Sequence, residues 1–438
     1  MDTIAAISTP YGVGGIAVVR VSGEEAIETV ERLTGSLGSA KPYSVHHAYL
    51  RRGDEVLDEV LVTVFRAPHS YTGEDVVEIA CHGSLYIQQE VLRWLTDAGC
   101  RTARAGEFTE RAFMNGKMDL TQAEAVADLI AAETRAEKDL AMSQLRGKVS
   151  TELNELRERL LHFTSLIELE LDFADHEELE FADRSELRAL SHEIETRLSA
   201  LIASFRTGNA IRNGIPVAII GAPNVGKSTL LNALLGEQRA IVSDIQGTTR
   251  DTVEDTLILD GILFRLIDTA GLRETHDTLE NLGIERSLAA ADKAQIILSV
   301  TEMGKETVNY QPKEGQQLIK IYNKMDLLMP DERMNLIDGI CISAKHGVIE
   351  QVKNKLVQIV RASLNTGGVV LSNQRHYEAI CRAHEAIRRV EQGLEDGLSG
   401  ELLSMDLQDC LTALGEVTGQ ISSQEVLNNI FSKFCIGK

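Results

Sequence analysis

The chain has 438 residues, 43% of them hydrophobic and 25% charged, and carries a net charge of −22. That composition describes a globular protein of roughly two to four domains and excludes a disordered one. A pI of about 5.0 argues against a large basic groove, so attraction to RNA has to come from a local patch or a partner.

Residues 1–118 alternate short apolar runs with Gly-containing turns: TIAAIS, GGIAVVRVSG, EVLVTVF and DVVEIACHGS. IETVERLTG and IQQEVLRWLTDAG between them have helical spacing, which predicts an α+β domain. The opening MDTIAAISTPYG lacks the basic and apolar regions of a signal peptide. His46 and His47, in the strand-like HHAYL, read as a strand edge and not as a metal site. From 119 to 210 the texture changes. Between Gly116 and Gly208 the one glycine is Gly147 and there is no proline. AEAVADLIAAE, LNELRERLLHF and LRALSHEIETRLSALIASF then predict long amphipathic helices. The acidic DFADHEELEF at 172–181 reads as a solvated connection, without the glycine and alternating ligands of an EF-hand. Strands and helices alternate again over 211–366, and helices return over 367–438. The simplest arrangement is one helical bundle made from both flanks, with an α/β unit inserted where its own ends lie close together. No apolar run reaches the roughly 18 residues of a membrane span. The six cysteines are scattered without CxxC spacing, as in a reduced cytoplasmic protein without a zinc site.

GAPNVGKS, Gly221 to Ser228, matches G-x-x-x-x-G-K-[ST], with the strand IPVAII before it and the helix STLLNALLG after it. In such a loop the backbone of Asn224, Val225 and Gly226 cradles phosphate at a helix N-terminus. Lys227 reaches the β/γ oxygens and the Ser228 hydroxyl binds Mg²⁺, with Thr229 following. IVSDIQGTTRD brings Ser243, Asp244, Ile245, Gln246, Gly247, Thr248 and Thr249 into the candidate site, Thr249 as the second Mg²⁺ hydroxyl. Arg250 is a catalytic candidate in the same stretch. Asp268, Thr269, Ala270 and Gly271 form DTAG after the strand-like ILFRLI, where an Asp suits a water-mediated Mg²⁺ contact. NKMD supplies Asn323, Lys324 and Asp326, and SAK supplies Ser343, Ala344 and Lys345. Asp326 can accept from guanine N1–H and the exocyclic amine, which adenine does not offer. Lys324 can cover the ring, and the SAK backbone can reach the guanine oxygen. The four motifs together predict a guanine-nucleotide P-loop domain. Leu272 follows DTAG where Ras-like proteins carry a water-orienting Gln, so hydrolysis needs other assistance. Glu280, in an acid-rich stretch, is the candidate, against a solvated carboxylate at a helix start.

GGIAVVRVSG, SYTGEDVVEIACHG, GEFTERAFMNGKMDLTQAEAVADLI, the inserted GTPase motifs, LENLGIERS and the terminal FCIGK together resemble the bacterial tRNA-modification GTPases of the MnmE (TrmE) family over essentially the whole chain. The resemblance implies a homodimer formed through the N-terminal domain, with G domains that approach each other during hydrolysis. It implies potassium at the site, with Asn224 as side-chain ligand and Ser243, Ile245 and Thr248 around it. Glu280 falls on the family's water-orienting acid. An FAD-containing partner, MnmG, and a tetrahydrofolate one-carbon unit are implied in placing an aminomethyl-type group on C5 of a tRNA wobble uridine. The N-terminal domain is then a folate-binding fold, with Arg20, Glu78, Lys117 and Lys438 as candidate ligands. On charge grounds Arg20 or Lys117 suits the folate tail and Glu78 the pterin donors; without the resemblance, Arg20 and Glu78 read as ordinary surface charges.

Cys435 stands where a prenylation box places its cysteine, yet Gly437 is not aliphatic and Lys438 is not a usual terminal residue. Whether this thiol is reactive or merely packed is left even by its neighbours: a nearby Lys lowers a thiol pKa and a helix C-terminus raises it. The sequence places it on a flexible tail, and the resemblance ties it to the modification chemistry. The competing function, a ribosome-assembly GTPase acting as a timed binding module, should carry a basic or GxxG-type RNA-binding appendage.

Overall fold

The structure, a computed structural model, describes residues 2–35, 37, 39–173, 182–236, 255–267, 280–302, 305, 307–327, 339–364 and 369–437, without the side chains of 280–286, 363 and 364. Residues 243–250 and 268–271, and most of the acidic connection at 172–181, lie outside them.

The chain forms two compact units. One comprises Met1–Ala127, Gln144–Phe181 and Ser404–Lys438; the other comprises Asp128–Ser143 and Ala182–Leu403. The first contains strands β1 (Ile4–Ile7), β2 (Ile16–Ser22), β3 (Ser44–Arg52), β4 (Glu55–Phe65), β5 (Val76–His82) and β6 (Arg101–Thr102). They form one sheet in the order β3-β4-β5-β2-β1-β6, antiparallel except for the parallel pair β1–β6. Period-two alternation turns Val60, Val62 and Val64 of β4 and Val19 and Val21 of β2 to one face. Helices Ala26–Thr34 and Leu85–Asp97 cover that face with Val30, Leu33, Val91, Trp94 and Leu95. Each such side chain contributes about 1.5–3 kcal/mol when fully buried. β3 is an edge strand. There His46 Nε2 lies 2.7 Å from Ser44 Oγ and His47 Nε2 lies 2.5 Å from Glu59 Oε1, the strand-edge reading of this pair.

The GEFTER and SYTGED stretches meet in a buried polar network. Arg111 donates to the Asp2 carboxylate at 2.6 Å, to Glu107 at 3.3 Å and to Glu74 at 3.1 Å. Arg101 donates to Glu107 at 2.5 and 3.0 Å. Burial alone would raise the Glu107 pKa, but hydrogen bonds from Arg101 and the Arg104 backbone N–H, with the nearby positive charge, bring it from an ordinary 4.5 to about 2. A depressed carboxylate pKa stabilises the fold fully above about pH 4.5, and that contribution disappears as pH falls through about 2. Glu107→Gln is expected to lower unfolding free energy at pH 7 by about 3 kcal/mol. Urea unfolding of both proteins should show the gap closing between pH 4.5 and 2; a constant gap would rule out the charge as its source.

The second unit holds β7 (Ile215–Ile220), β8 (Asp255–Leu259), β9 (Ile262–Leu266), β10 (Ile296–Glu302), β11 (Gln317–Asn323) and β12 (Ile340–Cys341). Their order is β12-β11-β10-β7-β9-β8, parallel except for the β8–β9 hairpin. Near-continuous apolar runs such as IPVAII and IILSV suit strands buried on both faces of a parallel sheet. Helices Arg184–Asn213 and Gln374–Glu395 run antiparallel: Arg188 donates to Leu394 O at 3.0 Å, and Phe205 stacks on Tyr377 at 4.2 Å. The Leu371 N–H donates to Ser204 Oγ at 3.1 Å, and a Cβ on Gly208 would meet Leu371 O at 2.1 Å. The chain thus enters and leaves the α/β unit side by side, the arrangement an inserted domain needs.

Candidate guanine-nucleotide site and the seat of the terminal tail

The phosphate loop leaves the C-terminal end of β7, where neighbours β10 and β9 diverge in connection, the usual ligand crevice of such a sheet. It feeds the helix Lys227–Leu235. Asn224 has φ +62° and Gly226 φ +96°, which curls the backbone over a phosphate-sized hollow. Side chains are excluded from the loop's underside: a Cβ on Gly221 would stand 2.3 Å from Val300 O, and one on Gly226 2.2 Å from Asn323 Nδ2. Lys227 Nζ donates to Gly221 O at 2.9 Å and Ala222 O at 2.8 Å. Its half-burial lowers its pKa by desolvation. A cation held inside the cradle fits phosphate in that hollow.

The parallel register of β10 and β11, which sets Glu302 beside Asn323, brings the NKMD motif onto the loop. Asn323 is buried; its Nδ2 donates to Val225 O at 2.9 Å, and its Oδ1 accepts from the Ala344 N–H at 3.0 Å. It therefore ties the phosphate loop to SAK, and it occupies one backbone N–H that sequence reading offers to the guanine oxygen. Lys324, at φ +65°, donates to Asn224 O at 2.8 Å and pairs with the Glu302 carboxylate. Glu302 escaped the sequence reading, since only strand register makes it a neighbour of Lys324. Asp326 is exposed, and Ser343 Oγ donates to its Oδ1 at 2.5 Å. That bond lowers the Asp326 pKa, so the exposed carboxylate is held as an ionised acceptor. Asp326→Asn is expected to weaken GDP binding roughly 10- to 100-fold, the scale of one bidentate base contact. Xanthine nucleotides, which place an acceptor opposite the new amide, should gain; unchanged base preference in a competition titration would remove Asp326 from that role. Glu280 opens the helix Glu280–Lys293; Arg250 and the candidates at 243–249 and 268–271 lie outside the described residues. Thr229 follows Ser228 in the first turn of the phosphate-loop helix.

In the first unit Arg20 and Glu78 are cross-strand partners on β2 and β5. Arg20 Nε and Nη2 both reach Glu78 Oε1, at 2.9 and 2.8 Å. The guanidinium lies 5.3 Å from the Tyr71 ring centroid and 5.6 Å from that of Phe108. These two are therefore one ion pair on an aromatic floor, not two separate surface charges. The Arg20 cation faces Glu78 Oε1. Lys117 is exposed, its Nζ donating to Pro68 O at 2.9 Å; Lys438 is outside the described residues.

The terminal segment is not the free tail expected from the sequence. Phe434 inserts among Leu120, Ala123, Leu427 and Phe431. Ile436 forms an antiparallel bridge with Ala105, the Gly106 N–H donates to Cys435 O at 3.4 Å, and Ser8 Oγ donates to Gly437 O at 3.2 Å. The docking site is the end of β1, whose Ala6 pairs with Arg20. Cys435 itself is exposed, whereas burial pushes the thiols of Cys81 and Cys100 up to about 11. All six cysteines are free. Among the described residues no cluster of His, Cys, Asp and Glu could hold a metal ion, and no helix is long and apolar enough to cross a membrane.

A six-stranded parallel-type sheet with a glycine-lined phosphate loop, buttressed by NKMD and SAK, defines a P-loop GTPase domain. Residues 3–117 match the family described as "GTP-binding protein TrmE N-terminus", and residues 120–435 match the "MnmE helical domain". The chain is 51% identical over 464 residues to the tRNA modification GTPase MnmE of Parabacteroides distasonis, covering 100% of both. It is 49% identical to that of Porphyromonas gingivalis, covering 100% of this chain and 98% of the relative. For Flavobacterium johnsoniae the identity is 48%, over 100% and 99%. The chain belongs to the MnmE (TrmE) family of tRNA-modification GTPases.

Proposed function

We propose that this cytoplasmic chain hydrolyses GTP as a homodimer and, with an FAD-dependent MnmG-type partner, drives addition of a (carboxymethyl)aminomethyl group to C5 of the wobble uridine of certain tRNAs. A tetrahydrofolate such as the 5-formyl form supplies the one-carbon unit. We read the chain as an N-terminal domain over 1–118, helical parts over 119–210 and 367–438, and an inserted G domain over 211–366. The observation that carries this reading is the seat of the tail: Ser8 holds Gly437 at the end of the strand that pairs with Arg20, so the exposed Cys435 thiol stands on the same domain as the Arg20–Glu78 pair. Glu78 accepts the pterin's paired N–H groups, and Lys117 and Lys438 answer the folate carboxylates.

In the G domain Lys227 holds the β/γ oxygens, and Glu280 orients the attacking water in place of the absent Gln. Arg250 offsets developing charge. Ser228 and Thr249 would hold Mg²⁺, and Asn224, Ser243, Ile245 and Thr248 would hold K⁺; when bound, these cations neutralise charge on the phosphates. GTP turnover is therefore expected to be stimulated at least about tenfold by potassium over sodium at equal ionic strength, a stimulation lost in Asn224→Ala. Isothermal titration should show 5-formyl-tetrahydrofolate binding to the full chain and its loss in Glu78→Gln. Equal turnover in both salts would reject the cation-assisted mechanism, and no folate binding by the natural chain would reject the one-carbon role and favour the assembly-factor reading.

A further inference from the structure

The hairpin β8–β9 closes one edge of the described G-domain sheet. β9 is tied to β7 by three register pairs, Ile215–Phe264, Pro216–Arg265 and Val217–Leu266, whereas β10 and β11 share seven. The hairpin turn is Asp260–Gly261, at φ +51° and +74°, two successive left-handed residues as a tight hairpin of this twist requires. A strand pair with so short a seam is weakly restrained by its own sheet. Along the chain β8 begins soon after Thr249 and β9 ends just before Asp268. The hairpin therefore fixes the point from which each of these two GTPase segments departs.

The turn is gripped from outside 211–366. Asp128–Ser143 belongs to the same compact unit as the hairpin, although the chain on either side of it, up to Ala127 and from Gln144, belongs to the other. Within it TRAE at 134–137 forms a capping box. The Glu137 N–H donates to Thr134 Oγ1 at 3.2 Å, and Glu137 Oε2 accepts from the Thr134 N–H at 3.2 Å and the Glu133 N–H at 2.7 Å. That fixes the start of the helix Arg135–Leu145. The Ala136 N–H, one of the first-turn donors that a helix leaves unbonded, donates to Gly261 O at 3.1 Å, where the helix dipole favours a carbonyl oxygen. Ala136 also packs against the core of this sheet, and a Cβ on Gly261 would stand 3.0 Å from Arg135 Cβ. Nearer the start of the segment, Arg212, in the last helical turn before β7, places Nε and Nη2 on Asp128 Oδ1 at 3.1 and 2.6 Å. The segment thus holds both the hairpin turn and the foot of β7, the two partners of the short seam.

We propose that Asp128–Ser143 is a positioning element for GTP hydrolysis, supplied from outside the G domain. Ala136 acts through β9 and Asp128 through β7. The phosphate loop leaves β7 and DTAG follows β9 in the chain, so the seam between these strands sets the placement of one against the other. Reaction rate depends steeply on such placement, whereas the candidate phosphate and base contacts Lys227 and Asp326 lie on other elements. The inference rests on the GTPase activity of the family and not on the modification chemistry.

The test measures GTP turnover, GDP affinity and thermal midpoint for variants of the full chain. Ala136→Pro deletes the N–H given to Gly261 O, at a first-turn position that tolerates proline. Arg212→Gln opens the second hold, and Arg212→Lys keeps a cation there. Arg135→Ala removes an exposed side chain and leaves the Ala136 N–H in place, so it serves as the control. Ala136→Pro and Arg212→Gln are expected to lower kcat at least about tenfold, with KM for GTP and GDP affinity within about twofold of the natural chain. Arg212→Lys should recover most of the rate, and Arg135→Ala should keep it. If Ala136→Pro does not fold, the two Arg212 variants carry the test. A lower thermal midpoint with natural kcat, or kcat and GDP affinity falling together, would overturn the proposal, because a merely structural brace gives those results. Each variant is compared with the natural chain in the same salt. A natural chain without potassium stimulation would therefore reject cation assistance and leave this comparison intact.

Discussion

Asn323→Ala is expected to weaken GDP and GTP binding about 100-fold and to lower the stability of the G domain by about 2–4 kcal/mol. The residue bears no charge and the distances to it are ordinary, yet it holds two motifs together. Its amide donates to Val225 O at 2.9 Å and accepts from the Ala344 N–H at 3.0 Å. Alanine removes both partners at once. Each buried polar group left without a bond costs about 1–3 kcal/mol, and a loss of 2.8 kcal/mol in binding is a hundredfold in affinity. Part of the penalty falls on folding and part on nucleotide affinity, because the cradle is shaped only while Val225 is anchored. A GDP titration with a parallel thermal melt separates the two. Lower stability with unchanged affinity would mean that the loop holds its shape without the strut.

Gly437→Ala is expected to leave GTP turnover near its natural rate while lowering folate affinity about tenfold and tRNA modification about 100-fold. Gly437 has φ +97°, and a Cβ there would stand 2.3 Å from Ile7 O and 3.0 Å from Ile7 C and Ser8 Cα. Those are backbone atoms at the end of strand β1 and the residue after it, so the tail must give way. Left-handed backbone adds about 1–2 kcal/mol for a residue with a Cβ, and a displaced Gly437 also loses its bond from Ser8. Gly397→Ala is the control, since φ is +67° there and a Cβ meets nothing within 4 Å: it carries the backbone strain without the collision. Modification assays with the partner and tRNA should distinguish the two variants. If Gly437→Ala modifies tRNA as well as the natural chain, the seated tail has no part in the chemistry.

The nucleotide site was legible because its chemistry is local. The strand, the G-x-x-x-x-G-K-[ST] loop and the helix follow one another directly along Ile215–Leu235, so GAPNVGKS could be read without knowing its distant neighbours. NKMD and SAK were recognisable as motifs for the same reason. Their second role was not, since the Asn323 strut depends on β10 and β11 lying in parallel register and on the turn that returns Ala344 to the loop. HHAYL, read as a strand edge, lies on the edge strand β3.

The sequence by itself determined the class of fold, the GTPase motifs and the change from mixed α/β texture to long amphipathic helices, because periodicity and short-range motifs act over a few residues. Only the tertiary structure decided that Arg20 and Glu78, 58 residues apart, neutralise each other, and that Ser8 grips Gly437 from 429 residues away. Contacts of that kind depend on strand register and helix packing, which are set by the summed burial of many side chains and leave no mark on the spacing of the few residues brought together.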